Sequence, residues 1–298
     1  MFNHITVLLK ETIESLNIKP DGIYVDATFG FGGHSKEILK KLNKNGLLIA
    51  FDHDQSVDPK LFVEFEQENF KFINENFNTL DLYLNKMGIN KIDGIIFDFG
   101  ISSMQIDNKD RGFSYMQDGN LDMRMDRRIE ITAKYILNEY SHDNLLRIFR
   151  DYGDINKPHL FSNFIIKNRP YNSTFDLVKI TDLWFKNSKS HSAKKAFQAL
   201  RIEVNNEVNN IRDTLEKTID FLKKGSRLVA ISFHSLEDKV VKKFIKKYSE
   251  DHSDKKIPLI NQKITLKRIN RKPIRPSSHE LSANSRSHSA IMRVAEKL

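Results

Sequence analysis

Cysteine is absent from this chain of 298 residues. Its absence rules out disulfides, thiolate metal sites and a cysteine nucleophile. No apolar run reaches membrane-spanning length, and Met1-Phe2-Asn3-His4 opens into polar sequence rather than a signal peptide. The expectation is a cytoplasmic protein with no membrane partner. Internal repeats and low-complexity tracts are missing as well. Acidic residues are outnumbered, 39 against 48 basic ones, leaving a formal charge of +9. A polyanionic partner such as nucleic acid accounts for that surplus better than a merely solvated surface. With 39% hydrophobic residues the chain is able to bury a large core, in one large domain or two.

Residues 22–35 organise the rest. Ile23, Val25 and Ala27 alternate as in a buried strand, and from Ser35 onward Ile38, Leu39 and Leu42 recur at helical spacing. Between them, Gly30-Phe31-Gly32-Gly33 lets the backbone turn sharply and brings bare amide groups to a helix N-terminus, where a cofactor can lie. The third glycine of a dinucleotide fingerprint is missing, and so is the Lys-Ser/Thr pair of a phosphate-binding P-loop. The next strand, residues 47–51, runs into Asp52-His53-Asp54. An acid ~20 positions past a glycine turn, at the end of the second strand, is placed to hold a ribose diol. A nucleoside-containing cofactor without a demanding phosphate site fits both features, and S-adenosylmethionine is such a molecule. A ligand-free strand-to-helix turn is the alternative, weakened by Asp52.

A short helix is expected at residues 8–16, ahead of the first strand. After Asp54 a helical stretch leads to a third strand near 70–73 and then to Asn76-Phe77-Asn78, where Phe77 serves equally as an adenine contact or a core ring. The fourth strand, 92–98, is the nearly continuous apolar run that two-sided burial produces, and it ends in Asp98. Residues 99–105 follow at the position where substrate meets cofactor in an open α/β sheet; a turn-capping carboxylate is the alternative for Asp98. Alternation then stops. Residues 107–207 offer helices without strands, at 132–139, 141–150, 158–167, 174–185 and from 192. This reads as an inserted helical domain, leaving 1–106 and 208–298 as a discontinuous α/β domain. A helix at 208–223, a fifth strand at 225–235 and a helix at 237–248 with a solvated lysine face follow. The turn-rich segment 263–275 carries Lys267, Arg268, Arg271, Lys272 and Arg275 and can follow phosphates, before a strand-like run at 290–295.

The blocks His4-Ile5-Thr6-Val7-Leu8-Leu9-Lys10-Glu11, Asp26-Ala27-Thr28-Phe29-Gly30-Phe31-Gly32-Gly33-His34-Ser35 and Asp98-Phe99-Gly100-Ile101-Ser102-Ser103 recur in one known family, together with Arg111-Gly112-Phe113-Ser114-Tyr115 and Leu121-Asp122-Met123-Arg124-Met125-Asp126. Residues 196–205 and Ile231-Ser232-Phe233-His234-Ser235-Leu236-Glu237-Asp238 complete the pattern. Over nearly its full length the chain resembles the bacterial small-subunit ribosomal RNA cytosine-N4 methyltransferases, the RsmH (formerly MraW) family. The resemblance implies a class I S-adenosylmethionine-dependent methyltransferase sheet, Rossmann-like, with an inserted all-helical domain that recognises substrate. It implies methyl transfer from S-adenosyl-L-methionine to N4 of a cytidine in the decoding region of 16S rRNA, with the small ribosomal subunit as partner. The cofactor positions it implies are Gly32, Gly33, His34, Asp52, Phe77, Asp98 and Gln105. No metal ligands are assigned, and metal dependence and homodimerisation both stay open. The family usually has Leu and Val where Phe99 and Ile101 stand and Pro where Met104 stands, which changes loop shape but removes no polar group. Residues 154–159 also depart from the family, and the region 249–262 is short.

Cytosine N4 shares its lone pair with the ring, so a site must hold the base out of its stack and accept hydrogen bonds from the amine. Ser102, Ser103 and Asp98 are candidates for orienting it, and His234 is a candidate proton acceptor. Phosphate contacts are expected from Arg111, Arg124, Lys194, Lys195 and residues 267–275. Three competing readings each leave something unexplained. A non-catalytic RNA-binding module gives Asp52 no purpose, a small-molecule methyltransferase does not need the basic segment or the insertion, and a nicotinamide-dependent oxidoreductase conflicts with the glycine spacing.

Overall fold

Short runs rich in β-branched and aromatic residues supply the strands of one sheet: β1 (Ile23–Asp26), β2 (Leu47–Phe51), β3 (Phe70–Ile73), β4 (Ile92–Asp98), β5 (Leu222–Ser232), β6 (Leu266–Arg268) and β7 (Ile291–Lys297). Their order is β3-β2-β1-β4-β5-β7-β6. The first five pair in parallel, whereas β7 enters antiparallel between β5 and β6. In this computed structural model residues 5–61, 65–186, 191–250 and 264–298 are described, and they fall into two compact units, Met1–Gly100 with Val208–Leu298, and Ile101–Glu207.

The helices are α1 (Leu9–Leu16), α2 (Gly33–Leu39), α3 (Leu80–Lys86), α4 (Ser103–Asp107), α5 (Ala133–Glu139), α6 (His142–Asp151), α7 (Pro158–Lys167), α8 (Thr174–Trp184), α9 (Lys194–Asn205), α10 (Glu207–Phe221), α11 (Ser235–Ser249) and α12 (Ser278–Ala283). Alternate residues of each strand go to opposite faces of the sheet. Ile49, Phe51, Ile95, Phe97 and Leu228 pack with Leu80, Leu215, Val241 and Phe244 of α3, α10 and α11. Leu48, Ala50, Ile96, Val229 and Ile231 pack on the other side with Leu16 of α1, Ile38 of α2 and Met292 of β7. Burial on both faces is why β4 reads as a nearly continuous apolar run, broken by Asp93 and Gly94.

The second unit, helical apart from its connections and the irregular stretch 112–132, has its own core around Met123, Ile136, Phe149, Phe161, Tyr171 and Leu200. Its helices begin where the sequence offers caps. Thr132 Oγ1 accepts from the Tyr135 N–H and Ser141 Oγ from the Asn144 N–H, while Pro158 fills the first turn of α7.

Several expectations need correction. Between β2 and β3 the described residues contain a 3-10 turn, Pro59–Leu61, instead of a helix, because the Asp54 and Asp58 carboxylates accept from the N–H groups of Ser56 and Lys60 and compete with helical bonding. Helix α2 stops at Leu39, short of Leu42. The turn-rich segment near residue 266 contains β6, three residues long and too short to leave a periodic signature, and the loop after Asp98 contains α4. Most of the short region 249–262 lies outside the described residues. Among the described residues no helix is long and apolar enough to cross a membrane.

Candidate active site

Strand order reverses between β1 and β4, and ligands of open α/β sheets bind at the carboxyl edge of such a point. Here β1 ends in Asp26, β2 is followed by Asp52, and β4 ends in Asp98.

The turn after β1 has Gly30 and Gly32 in left-handed conformations, with φ of 55° and 72°. A Cβ on Gly32 would fall 2.5 Å from the Phe65 ring, and one on Gly33 would fall 1.8 Å from Thr6 Oγ1. Those two glycines are therefore demanded by the protein's own packing. At Gly30 a Cβ would meet nothing within 4 Å, so this glycine, named with the turn but not among the cofactor positions that the resemblance implies, is the one bordering open space. The Gly30 N–H donates to Asp52 Oδ2 at 2.8 Å, and the Asp54 N–H donates to Asp52 Oδ1 at 2.9 Å. Each Asp52 oxygen accepts one of these bonds and has a second lone pair. Burial pushes the Asp52 carboxyl up. Asn74 Nδ2 donates to the Asp52 and Asp54 carbonyls and ties this acidic loop to the end of β3. Phe77 opens the next 3-10 turn, half-buried, with the rings of Phe97 and Phe99 at 6.0 and 6.1 Å.

His34 is buried in the first turn of α2, its Nε2 3.2 Å from the Val7 carbonyl and its Nδ1 3.7 Å from Asp98 Oδ2. The Asp98 N–H donates to Thr28 Oγ1 at 2.7 Å, while Asp98 Oδ1 is buried without a hydrogen-bond partner among the described residues. Burial, reinforced by the negative charges of Asp26 and Glu237, pushes Asp98 well above the usual carboxylate range. Asp26 accepts from Ser35 Oγ at 2.7 Å and from the Thr28 N–H at 3.1 Å, and burial still raises it to about 6. Asp26 and Thr28 stand inside the glycine-turn block, yet only the folded backbone shows that they position its two ends.

His234 caps α11. Its Nδ1 accepts from the Glu237 N–H at 3.4 Å, and its Nε2 lies 2.9 Å from Glu237 Oε1. Glu237 is fully buried and returns the cap by accepting from the His234 N–H at 3.3 Å, and the same Oε2 also accepts from the Phe233 N–H at 2.7 Å. Ser102, Ser103 and Gln105 belong to the second unit. There Ser102 Oγ accepts from the Gln105 N–H and Gln105 Oε1 from the Ser102 N–H, a reciprocal cap that starts α4 and buries Gln105; Ser103 is buried beside it.

Two expected phosphate contacts are corrected. Arg111 is 3% exposed and donates to the Arg124 and Met125 carbonyls. Arg124 is clamped by both Asp122 oxygens and by the Arg127 and Ile129 carbonyls. Lys194 is exposed, and Lys195 pairs with Asp154. The segment after β6 instead presents cations outward. Asn270 accepts from the Val294 N–H and donates to the Lys272 and Met292 carbonyls, which fixes a turn whose Arg271, Lys272 and Arg275 are exposed. The bridge from Ile274 to Met292, beside the pairing of Ser232 with Ile291, brings that turn to the carboxyl edge of the sheet.

A sheet of this order, with an antiparallel strand between β5 and β6, a glycine turn after β1 and an acid after β2, defines a class I S-adenosylmethionine-dependent methyltransferase. More narrowly, the chain belongs to the MraW methylase family, whose model matches residues 1–298. It is 50% identical over 296 residues to "Ribosomal RNA small subunit methyltransferase H 1" of Acholeplasma laidlawii, covering 99% of each chain. It is 47% identical over 307 residues to the methyltransferase H of Caldicellulosiruptor saccharolyticus, covering 100% of both. Against the methyltransferase H of Clostridioides difficile it is 44% identical over 310 residues, covering 100% of this chain and 99% of that one. A solved putative rRNA-methylase from Clostridium thermocellum aligns with 99% of this chain and 100% of its own at 12% identity and a TM-score of 0.48.

The cofactor is S-adenosylmethionine. The sheet edge fits it on three counts: open space at Gly30, an uncommitted lone pair on each Asp52 oxygen for hydroxyl donors, and a buried Asp98 oxygen whose charge a cationic group would offset.

Proposed function

We propose that this protein methylates N4 of a cytidine in the decoding region of 16S rRNA, on the small ribosomal subunit. The observation that carries the reading is the carboxylate edge, with Asp52 and Asp98 at the ends of two strands that flank the glycine turn of β1. Family membership and the relatives' names supply the ribosomal RNA substrate, and the resemblance described above supplies the cytidine and its N4. The lack of cysteine agrees with an amino acceptor, since carbon-5 methylation of cytosine proceeds through a cysteine nucleophile.

When bound, S-adenosylmethionine supplies an electrophilic methyl on a sulfonium, so the protein's task is alignment and exclusion of water. Asp52 holds the ribose hydroxyls, and the backbone of Gly32 and Gly33 lies along the donor. Phe77 offers a ring to the adenine. His34 and Asp98 face the cationic end, where a positive charge favours the ionised form of Asp98 against its raised affinity for a proton. Gln105 and Ser102 fix the first turn of α4 through their mutual cap, and Asp98 is a candidate for orienting the acceptor amine. The geometry of His234 favours a positioning role over proton acceptance, because both of its ring nitrogens face Glu237. The inserted unit, which begins at Ile101 and not at 107, recognises the substrate.

The test uses small subunits from cells lacking the enzyme, incubated with protein and methyl-labelled donor, followed by digestion to nucleosides. Label in N4-methylcytidine at one decoding-region position is expected. Label in any other nucleoside sinks the proposal.

A further inference from the structure

The first block of the family pattern, residues 4–11, holds none of the implied cofactor positions, and His4 lies outside the described residues. Residues 5–8 nevertheless run against the glycine turn. Thr6 Oγ1 occupies the place a side chain on residue 33 would need, and the Val7 carbonyl stands 3.2 Å from His34 Nε2. The strap then enters α1 through Leu8, fully buried and left-handed at φ 52°. A leucine keeps that conformation only where its surroundings over-determine it.

Two side chains of the α12 region supply the constraint. Glu280 Oε1 accepts from the Leu8 N–H at 2.8 Å, and Asn284 Nδ2 donates to the Ile5 carbonyl at 2.9 Å. Asn284 is the buried C-cap of α12, its own N–H bonded to the Glu280 carbonyl and its Oδ1 accepting from the Arg286 N–H. One six-residue helix thus fastens both ends of the strap.

We propose that Glu280 and Asn284 are positioning residues for the methyl donor. By fastening residues 5–8 they set the Val7 carbonyl that orients His34 beside Asp98, and so the donor site depends on α12 through the strap. This inference rests on the reading of the glycine turn, His34 and Asp98 as the donor site. Val7 and Leu8 stay anchored by their own packing in the core, so loss of one fastening loosens the strap without dismantling the sheet.

The test compares Glu280→Ala, Glu280→Gln and Asn284→Ala with the parent by equilibrium dialysis of labelled S-adenosylmethionine and by steady-state methylation of small subunits; Asp52→Asn is the control. Glu280→Ala and Asn284→Ala should each raise donor Kd and donor KM about tenfold, with kcat nearly unchanged. Glu280→Gln keeps an acceptor for the Leu8 N–H and should stay within about twofold of the parent. If Glu280→Ala loses its melting transition, Asn284→Ala decides alone, because it releases the opposite end of the strap. Parent-like donor binding in the alanine variants, with binding lost in Asp52→Asn, overturns the fastening alone. Parent-like binding in Asp52→Asn overturns the donor-site reading and this inference with it. A fall in kcat at unchanged KM also overturns it.

Discussion

At the scale of single residues, the sheet edge is dominated by carboxylates whose charge the protein itself does little to offset. Asp52 is the most direct probe. Removing one charged acceptor from a diol costs about 1.5–3 kcal/mol, so Asp52→Asn should weaken donor binding roughly 10- to 100-fold by calorimetry. Asp26 gives a pH signature. Its folded-state affinity for a proton is raised from 3.8 to about 6, so the folded chain binds that proton more tightly than the unfolded one. The resulting stability is fully present below 3.8 and is lost as pH climbs through about 6. The full swing is roughly 3 kcal/mol. Urea unfolding of the ligand-free protein at pH values from 4 to 8 should show that decline in the parent and a flatter profile in Asp26→Asn; equal slopes would refute the assignment.

At the scale of elements, the strap fills the space that a side chain on Gly33 would need, so the two cannot coexist. Gly33→Ala places a methyl 1.8 Å from Thr6 Oγ1 and should lower the melting temperature, at a cost of about 1–3 kcal/mol. Thr6→Ala in the same chain should recover part of the loss, and no recovery would mean that the strap is not the obstruction. The strands that end in Asp52 and Asp98 were legible in the sequence, because two-sided burial leaves nearly continuous apolar runs and an acid after such a run stands out. The distinction between Gly30 and its neighbours was not legible. It depends on Phe65 and Thr6, which reach the turn only through the fold. Arg111 misled for a similar reason: nothing in the local sequence tells a solvated arginine from one buried against the Arg124 and Met125 carbonyls. Strand β6 escaped notice because its pairing with β7 is made across a long separation and its own three residues carry no pattern.

At the scale of the whole molecule, the surplus of positive charge finds an outlet in the Asn270-fixed turn. Its exposed Arg271, Lys272 and Arg275 stand at the same sheet edge as the acids, and a rigid cationic turn suits a phosphate backbone. Replacing all three by alanine should weaken binding to small subunits and reduce the slope of log affinity against log salt by about 2 to 3. An unchanged slope would place the phosphate contacts elsewhere. The pairing of β4 with β5, separated by the entire helical unit, bears on how the chain comes into being. During synthesis at ~5–20 residues per second, β4 waits roughly 6 to 25 s for Leu222 and its successors to leave the ribosome. Throughout that interval the nascent protein exposes the bare margin of a largely apolar strand, a template for misassociation between neighbouring polypeptides and a natural target for chaperone capture.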